Sequence, residues 1–291
     1  MYFLYNKSIT MTFFEEKNAF ANSYLDLMEQ NYEKIQKYPC DKKPSYLNLS
    51  TMTMVCNLTQ HIDILSFSDN FISPQEFNCT IKRPKQNTEF DLTKRGKKKK
   101  TFFNQASVHY TTHTTKCIKV FSNGRLHITG VTSMIEAANV CIFTCDLLNS
   151  TIGSVKGNTK VEAMDLQVCM INTNFSLNHG IDIIELKKQF QRYENYSCFY
   201  TPDTYPGLKI KYHHDASNKS SIFIFSSGQI VITGVKNIID VNTVYSSLMD
   251  ILIEVHSKIY NPYIQIKAKK KKDTKFKFGY DVSIMKPCLE V

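Results

Sequence analysis

No run of apolar residues in this 291-residue chain approaches the roughly 20 that a membrane-crossing helix needs. The start, Met1-Tyr-Phe-Leu-Tyr-Asn-Lys7, has no charged opening followed by a long apolar core, so no signal peptide is expected. No glycine-rich phosphate loop precedes a helix, no Gly-x-Ser-x-Gly elbow occurs, and no histidine pair has metal-ligand spacing. His213 and His214 are adjacent and point to opposite faces of a strand. The chain is therefore not expected to be an enzyme, nor to bind a membrane or a small-molecule substrate. The nine cysteines are odd in number and form no paired framework, which points to a reduced, intracellular interior. Cys141 and Cys145 sit four apart on an expected helix, but no second Cys or His pair follows at finger spacing. They read as buried thiols that pack like small hydrophobes, and neither metal nor cofactor is expected. Acidic residues are also scarce. There are 26 against 36 Lys and Arg, a formal net charge of +10, which favours a polyanionic partner.

The chain does contain a hairpin, twice. Ile222-Phe-Ile-Phe-Ser-Ser-Gly-Gln-Ile-Val-Ile-Thr-Gly-Val-Lys236 has two apolar runs around a glycine turn. Strand periodicity puts Ile222, Ile224, Ile230 and Ile232 on one face, and Phe223, Phe225, Val231 and Thr233 on the other. A sheet with one covered face alternates apolar and polar. Here both faces are apolar, so the second must meet another layer or a ligand. Phe121-Ser-Asn-Gly-Arg-Leu-His-Ile-Thr-Gly-Val131 matches Phe225 to Val235 at seven of eleven positions, at a constant offset of 104. Such an ungapped match indicates duplication of a domain-sized unit rather than a solenoid array.

Residues 1–45 read as an extension with a weak helical pattern over 20–35, its stripe supplied by Leu25, Leu27 and Met28. The first repeat is expected over 46–160. It has a strand at 47–58, a short helix at 63–71, strands at 101–110 and 114–129, and a helix at 131–148 carrying Ile135, Ala138, Val140, Ile142 and Leu147. Residues 78–101 include Lys94-Arg-Gly-Lys-Lys-Lys-Lys100 and read as a basic insertion. The second repeat, 161–262, has a strand at 165–175, a helix at 181–193, a strand at 207–212, the hairpin and a helix at 235–259. A basic tail follows over 263–291. Each half is an α+β unit with helices on one face of an antiparallel sheet. The uncovered Phe/Thr face would then be an interaction surface.

These residues resemble the TATA-box-binding protein family. Its two repeats each carry a Phe-Ser-Ser-Gly-basic-x-Val-x-Thr-Gly-Ala-Lys hairpin before a long helix. Tyr205-Pro-Gly-Leu208 is similar to the family's Phe-Pro-Gly-Leu, Tyr200-Thr-Pro-Asp203 to its Tyr-Glu-Pro-Glu, and Asn57-Leu58 to its Val-Asn-Leu. The resemblance spans about 47–259, and the Asn/Lys-rich composition looks like that of divergent members carried by nucleocytoplasmic large DNA viruses. It implies a two-repeat saddle, a curved antiparallel sheet with helices on the convex face. TATA-binding proteins are the type example of minor-groove binders with apolar wedges. The implied function is a transcription initiation factor that binds and bends A·T-rich promoter DNA through the minor groove, then recruits a IIB-like factor and RNA polymerase. The implied location is the host nucleus or a cytoplasmic viral factory.

Position by position, Phe121 and Phe225 match the family's wedge Phe. Tyr205 takes the second wedge place of the second half, and Phe103 is the candidate in the first. Thr129 and Thr233 match the Thr facing the groove centre, Val231 a groove-contacting Val, and Phe223 a family Leu in the same strand. Arg125 and Lys236 match basic residues near phosphates. The family's strand Asn positions correspond to Thr51 and Val168, each two residues before an apolar-contact position, Thr53 and Met170. Asp203, with Thr201 beside it, resembles the acidic turn that docks transcription factor IIB. Lys119, His127 and Gln229 depart from the family's Leu, Val and Lys. Loss of both amides removes the central hydrogen bonds. The alternative is therefore a protein-interaction scaffold of the transcription machinery that kept the fold and lost sequence reading. Half-saddle modules also occur in nucleic-acid enzymes, but no catalytic constellation supports that reading. The null alternative for Phe121, Phe223 and Phe225 is an ordinary two-layer core.

Overall fold

Each hairpin is set by its glycines. Gly124 and Gly228 adopt φ of 78° and 76°, and Gly130 and Gly234 adopt 89° and 80°. These left-handed values strain any residue with a Cβ. The computed structural model describes residues 23–74, 78–82, 104–111, 114–156 and 159–264. Phe103, the block 94–100 and the tail from residue 265 lie outside the described residues.

Among the described residues the order is α1 (residues 23–37), β1 (Asn48–Leu58), α2 (Ile64–Asp69), β2 (Asn78–Lys82), β3 (Gln105–Thr111), β4 (Thr115–Phe121), β5 (Arg125–Val131) and α3 (Met134–Ser150). Then come β6 (Ala163–Ser176), β7 (Gly180–Ile181), α4 (Ile183–Phe190), β8 (Tyr196–Phe199), β9 (Leu208–His213), β10 (Lys219–Ile224), β11 (Gln229–Val235), α5 (Ile238–Glu254), α6 (His256–Ile259) and β12 (Tyr260–Asn261). The chain divides into two compact units. The first is Met52–Cys169; the second joins the stretch up to Thr51 with that from Met170 onward.

In the first unit the antiparallel strand order is β2-β3-β4-β5-β1. Ile118, Val120, Leu126 and Ile128 are fully buried on one sheet face, together with Met134, Ala137, Val140 and Leu148 of α3. Cys141 and Cys145 are buried free thiols on the same helix. The Ile stripe expected there is out of phase. Ile135 and Ile142 are exposed, while Cys141, Thr144 and Cys145 take the buried places. Lys116 of β4 also points inward, 1% exposed, and pairs with Glu136. Glu136 in turn accepts from the Thr132 backbone N–H at 2.7 Å, while Ser133 caps the helix through Glu136 N.

In the second unit the order is β6-β11-β10-β9-β8. Ile222, Ile224, Ile230 and Ile232 are all 0% exposed, as their periodicity requires, and α5 buries Val241, Val244, Tyr245 and Leu248. Helix α1 lies along α5. Lys34 pairs with Asp250, and Asn242 Nδ2 donates to Gln30 Oε1 at 2.8 Å. Leu27 and Ile35 are buried on its inner side, whereas Leu25 is 45% exposed and does not belong to the stripe.

The two units share local devices. Leu58 N donates to Gly124 O at 2.7 Å, and Leu177 N to Gly228 O at 2.9 Å. Asp63 caps α2 and Asp182 caps α4. Leu177 follows Leu58 by 119 residues, and Asp182 follows Asp63 by the same interval. The hairpins are offset by only 104, so the first repeat holds 15 extra residues between these landmarks. Four strands were not expected from the sequence. One is β2, inside the stretch read as an insertion, with Cys79 buried. The others are β8 and the two-residue β7 and β12, which pair with each other.

Candidate nucleic-acid interface

The sheet face away from the helices carries the sequence-predicted residues, divided between the units. In the second unit, strand register sets Phe223 opposite Val231 and Ser221 opposite Thr233. On the other side Lys209 and Lys211 face Phe223 and Ser221. Tyr205 reaches the same face from the turn after β8. Its ring lies 5.7 Å from that of Phe223 and 5.9 Å from that of Phe225. Gly207 permits this approach, because a Cβ there would stand 2.8 Å from Tyr205 and 2.9 Å from Phe225. Tyr205 is 41% exposed, and Phe223, Phe225, Val231 and Thr233 are half-buried. An aromatic cluster left half open on a sheet is unusual unless something covers it. Lys211 Nζ donates to Ser221 Oγ at 2.6 Å, and Lys236 is exposed.

Beside Thr233 stands an amide that the sequence reading missed. Thr233 Oγ1 donates to Asn172 Oδ1, and Asn172 Nδ2 donates to Thr51 Oγ1 at 3.0 Å. Thr233 also lies 3.5 Å from Met170 Sδ. Asn174 faces Val231 on the same strand face. The 119-residue interval makes Met170 the counterpart of Thr51, and Asn172 that of Thr53. The pairing of Thr51 with Val168 and Thr53 with Met170 is therefore corrected by two residues. Val168 itself is half-buried on β6, within the first unit. Only strand register places this frame, because β6 has no glycine or hairpin landmark of its own.

The first unit presents a less aromatic face. Thr53 pairs with Thr129 and Val55 with His127 in β1–β5, and Lys119 lies opposite His127 in β4–β5. Thr53 and Val55 are 8% and 9% exposed. Thr129 Oγ1 donates to the Cys117 carbonyl at 3.3 Å. Phe121 is half-buried, with Gln105 rather than an aromatic residue opposite it, and Arg125 is exposed. His127 Nδ1 is buried without a partner among the described residues. Burial lowers the His127 pKa below the usual range, and the adjoining Lys119 and Arg125 charges add to this. His213 and His214 do point oppositely, to Ser197 Oγ at 3.0 Å and Ser220 Oγ at 2.7 Å. Thr201 and Asp203 are exposed in a turn closed by Thr204 N to Thr201 O at 3.0 Å.

A family model described as "Transcription factor TFIID (or TATA-binding protein, TBP)" matches residues 165–255. A "TATA-box-binding protein-like" protein of Acanthamoeba polyphaga mimivirus is 28% identical over 266 residues, covering 80% of this chain and 71% of its own length. By both comparisons the chain is similar to TATA-binding proteins. The solved structure titled "Methanococcus jannaschii TBP" is 17% identical, with a TM-score of 0.46, and covers 72% of this chain and 99% of its own. The family match falls almost wholly on the unit with the aromatic cluster and Asn172. No helix among the described residues is long and apolar enough to cross a membrane.

Proposed function

We propose that this chain is a transcription initiation factor that binds A·T-rich promoter DNA in the minor groove through the open sheet faces and bends it. The observation that carries the reading is the half-open cluster of Tyr205, Phe223 and Phe225 beside Val231 and Thr233. The minor groove offers few donors and acceptors, so flat apolar contact with a few hydroxyls and amides suits it. Tyr205, Phe225 and Phe121 act as wedges between base steps. Thr233, Asn172 and Thr51 form a small hydrogen-bonding centre, while Arg125, Lys209 and Lys236 lie near phosphates. The exposed Thr201–Asp203 turn docks a IIB-like protein, and through it RNA polymerase. Energy transfer between the ends of an A·T-rich duplex, against a G·C-rich control at fixed salt, tests this. Bending confined to the A·T-rich duplex supports it; equal binding without bending refutes it.

The face formed by Lys119, His127 and Arg125 favours a second reading. In that reading the chain grips phosphates without sequence preference and acts as a scaffold for transcription proteins. Co-purification of a IIB-like or polymerase subunit without any A·T preference would favour this scaffold.

A further inference from the structure

The second unit contains a group that the proposed DNA face does not use. Tyr38, Cys40, His179 and His256 come from three separated segments: the bend after α1, the β6–β7 connection and the start of α6. One ligand atom from each of Cys40, His179 and His256 lies within 4.8 Å of the other two. A thiolate and two imidazoles in this arrangement match the donors of a tetrahedral zinc site.

The hydrogen bonds orient the donors. His179 Nδ1 lies 2.8 Å from the Gly180 carbonyl oxygen, so that nitrogen carries the hydrogen and Nε2 keeps its lone pair. A ligating histidine usually has just such a backbone anchor on its other nitrogen. The Tyr38 hydroxyl, 2.7 Å away, donates to Nε2. His179 is 5% exposed, and the turn at Gly228 packs on its carbonyl, so its backbone is fixed. His256 Nε2 is buried and has no partner among the described residues. A buried imidazole nitrogen without a partner calls for an explanation such as a bound ion. The His179 and His256 rings meet edge to face at 5.3 Å, and Tyr38 packs on both. Pro39, Cys40, Asp41, His256 and Tyr260 line a surface pocket through which an ion and a water can enter.

We propose that Cys40, His179 and His256 bind one zinc-type divalent cation, with water from the pocket as the fourth ligand. Tetrahedral ligands on zinc stand about 3.3–3.8 Å apart, so closure needs side-chain movements of about 1 Å. As the metal–sulfur bond forms, the Cys40 thiol releases its proton to solvent, and the Tyr38 hydroxyl turns away from His179 Nε2. Nothing is oxidised or reduced. The ion ties the segment after α1 to the β6–β7 connection and α6, and so fixes the docked α1 helix. The sequence hides this site because its ligands lie 139 and 77 residues apart, with no local spacing to signal them.

The full-length metal-free chain titrated with Co2+ tests the proposal, followed by Zn2+ competition against a chromophoric chelator. The expected result is one equivalent of bound Co2+ with a thiolate-to-cobalt charge-transfer band and tetrahedral d–d absorption. Cys40→Ser should abolish the charge-transfer band, whereas Cys169→Ser, at another half-buried thiol, should keep it. His256→Gln should lower Zn2+ affinity by more than the roughly 10–100-fold that loss of a supporting partner costs. An octahedral spectrum without the thiolate band, or a band unchanged in Cys40→Ser, would overturn the site. The wild-type spectrum alone can refute it, so the outcome does not depend on the variants folding.

Discussion

Phe121 and Phe225 hold the same place in two copies of one hairpin, yet their surroundings differ. Phe225 stands in an aromatic cluster with Tyr205 and Phe223, whereas Phe121 faces Gln105, with Lys119 and His127 further along the same sheet face. The backbone devices beneath them stay alike: the left-handed glycines, the Asp caps and the Leu-to-Gly hydrogen bonds. A backbone reversal admits few solutions, because a Cβ on Gly124 would lie 2.4 Å from Gln60 O, and one on Gly228 2.2 Å from His179 O. An open face is under no such steric constraint and can change its chemistry. The buried layer differs too, and one of its differences adds a charge. Lys116 sits where the second copy has Ser220, paired with Glu136 where the second copy has Asp240.

That buried pair gives the largest expected effect. Glu136→Ala removes one partner of the buried Lys116 ammonium, together with the Thr132 contacts, and should cost about 1–3 kcal/mol. Asp240→Ala in the second unit loses only an exposed hydrogen bond from Asn237 Nδ2 and a favourable first-turn charge, about 0.3–1 kcal/mol. Equal losses in urea unfolding would erase the contrast. Next, Phe225→Ala should weaken DNA binding by about 1–3 kcal/mol and reduce bending, on the scale of one lost aromatic–base contact. Phe121→Ala should do less, and a reversed order in the energy-transfer assay would make the first unit the main wedge. Asn172→Ala should reduce the preference for A·T-rich over G·C-rich duplex by about 1–2 kcal/mol, near the lower end for a good base contact. Thr53→Ala, at the equivalent place in the first unit, should leave that preference in place.

The smallest effect concerns pH. His127 is neutral near pH 7 because burial, Lys119 and Arg125 all disfavour its charge. A phosphate beside it would raise its pKa in the complex. The resulting gain in affinity is complete below the free-state value and is lost as pH rises through the bound-state value. DNA affinity should thus rise modestly as pH falls below the usual histidine range near 6.5, and His127→Gln should flatten that rise. An unchanged pH profile in the variant would remove His127 from the phosphate contacts.

The α+β class, the duplication and the buried Ile face were legible because glycine turns and period-two alternation are local signals. Strand register was not legible, and that is why Asn172 was missed, with Met170 put in its place and Val168 in that of Met170. The α3 stripe was misphased because Cys141, Thr144 and Cys145 pack as small apolar groups while Ile135 and Ile142 stay outside. Strand β2 was hidden by the basic composition that follows it. Phe103, the expected first-half wedge, lies outside the described residues.

The extra 15 residues of the first repeat have an energetic meaning. The β2–β3 connection spans 83–104, whereas its counterpart between β8 and β9 spans 200–207. By sequence length alone, closing the longer interval costs only about 1 kcal/mol more in chain entropy, since the cost grows with the logarithm of length. The connection thus accommodates Lys94, Arg95 and Lys97 to Lys100 at little thermodynamic expense to the fold. Folding stability therefore imposes almost no limit on the length of this connection.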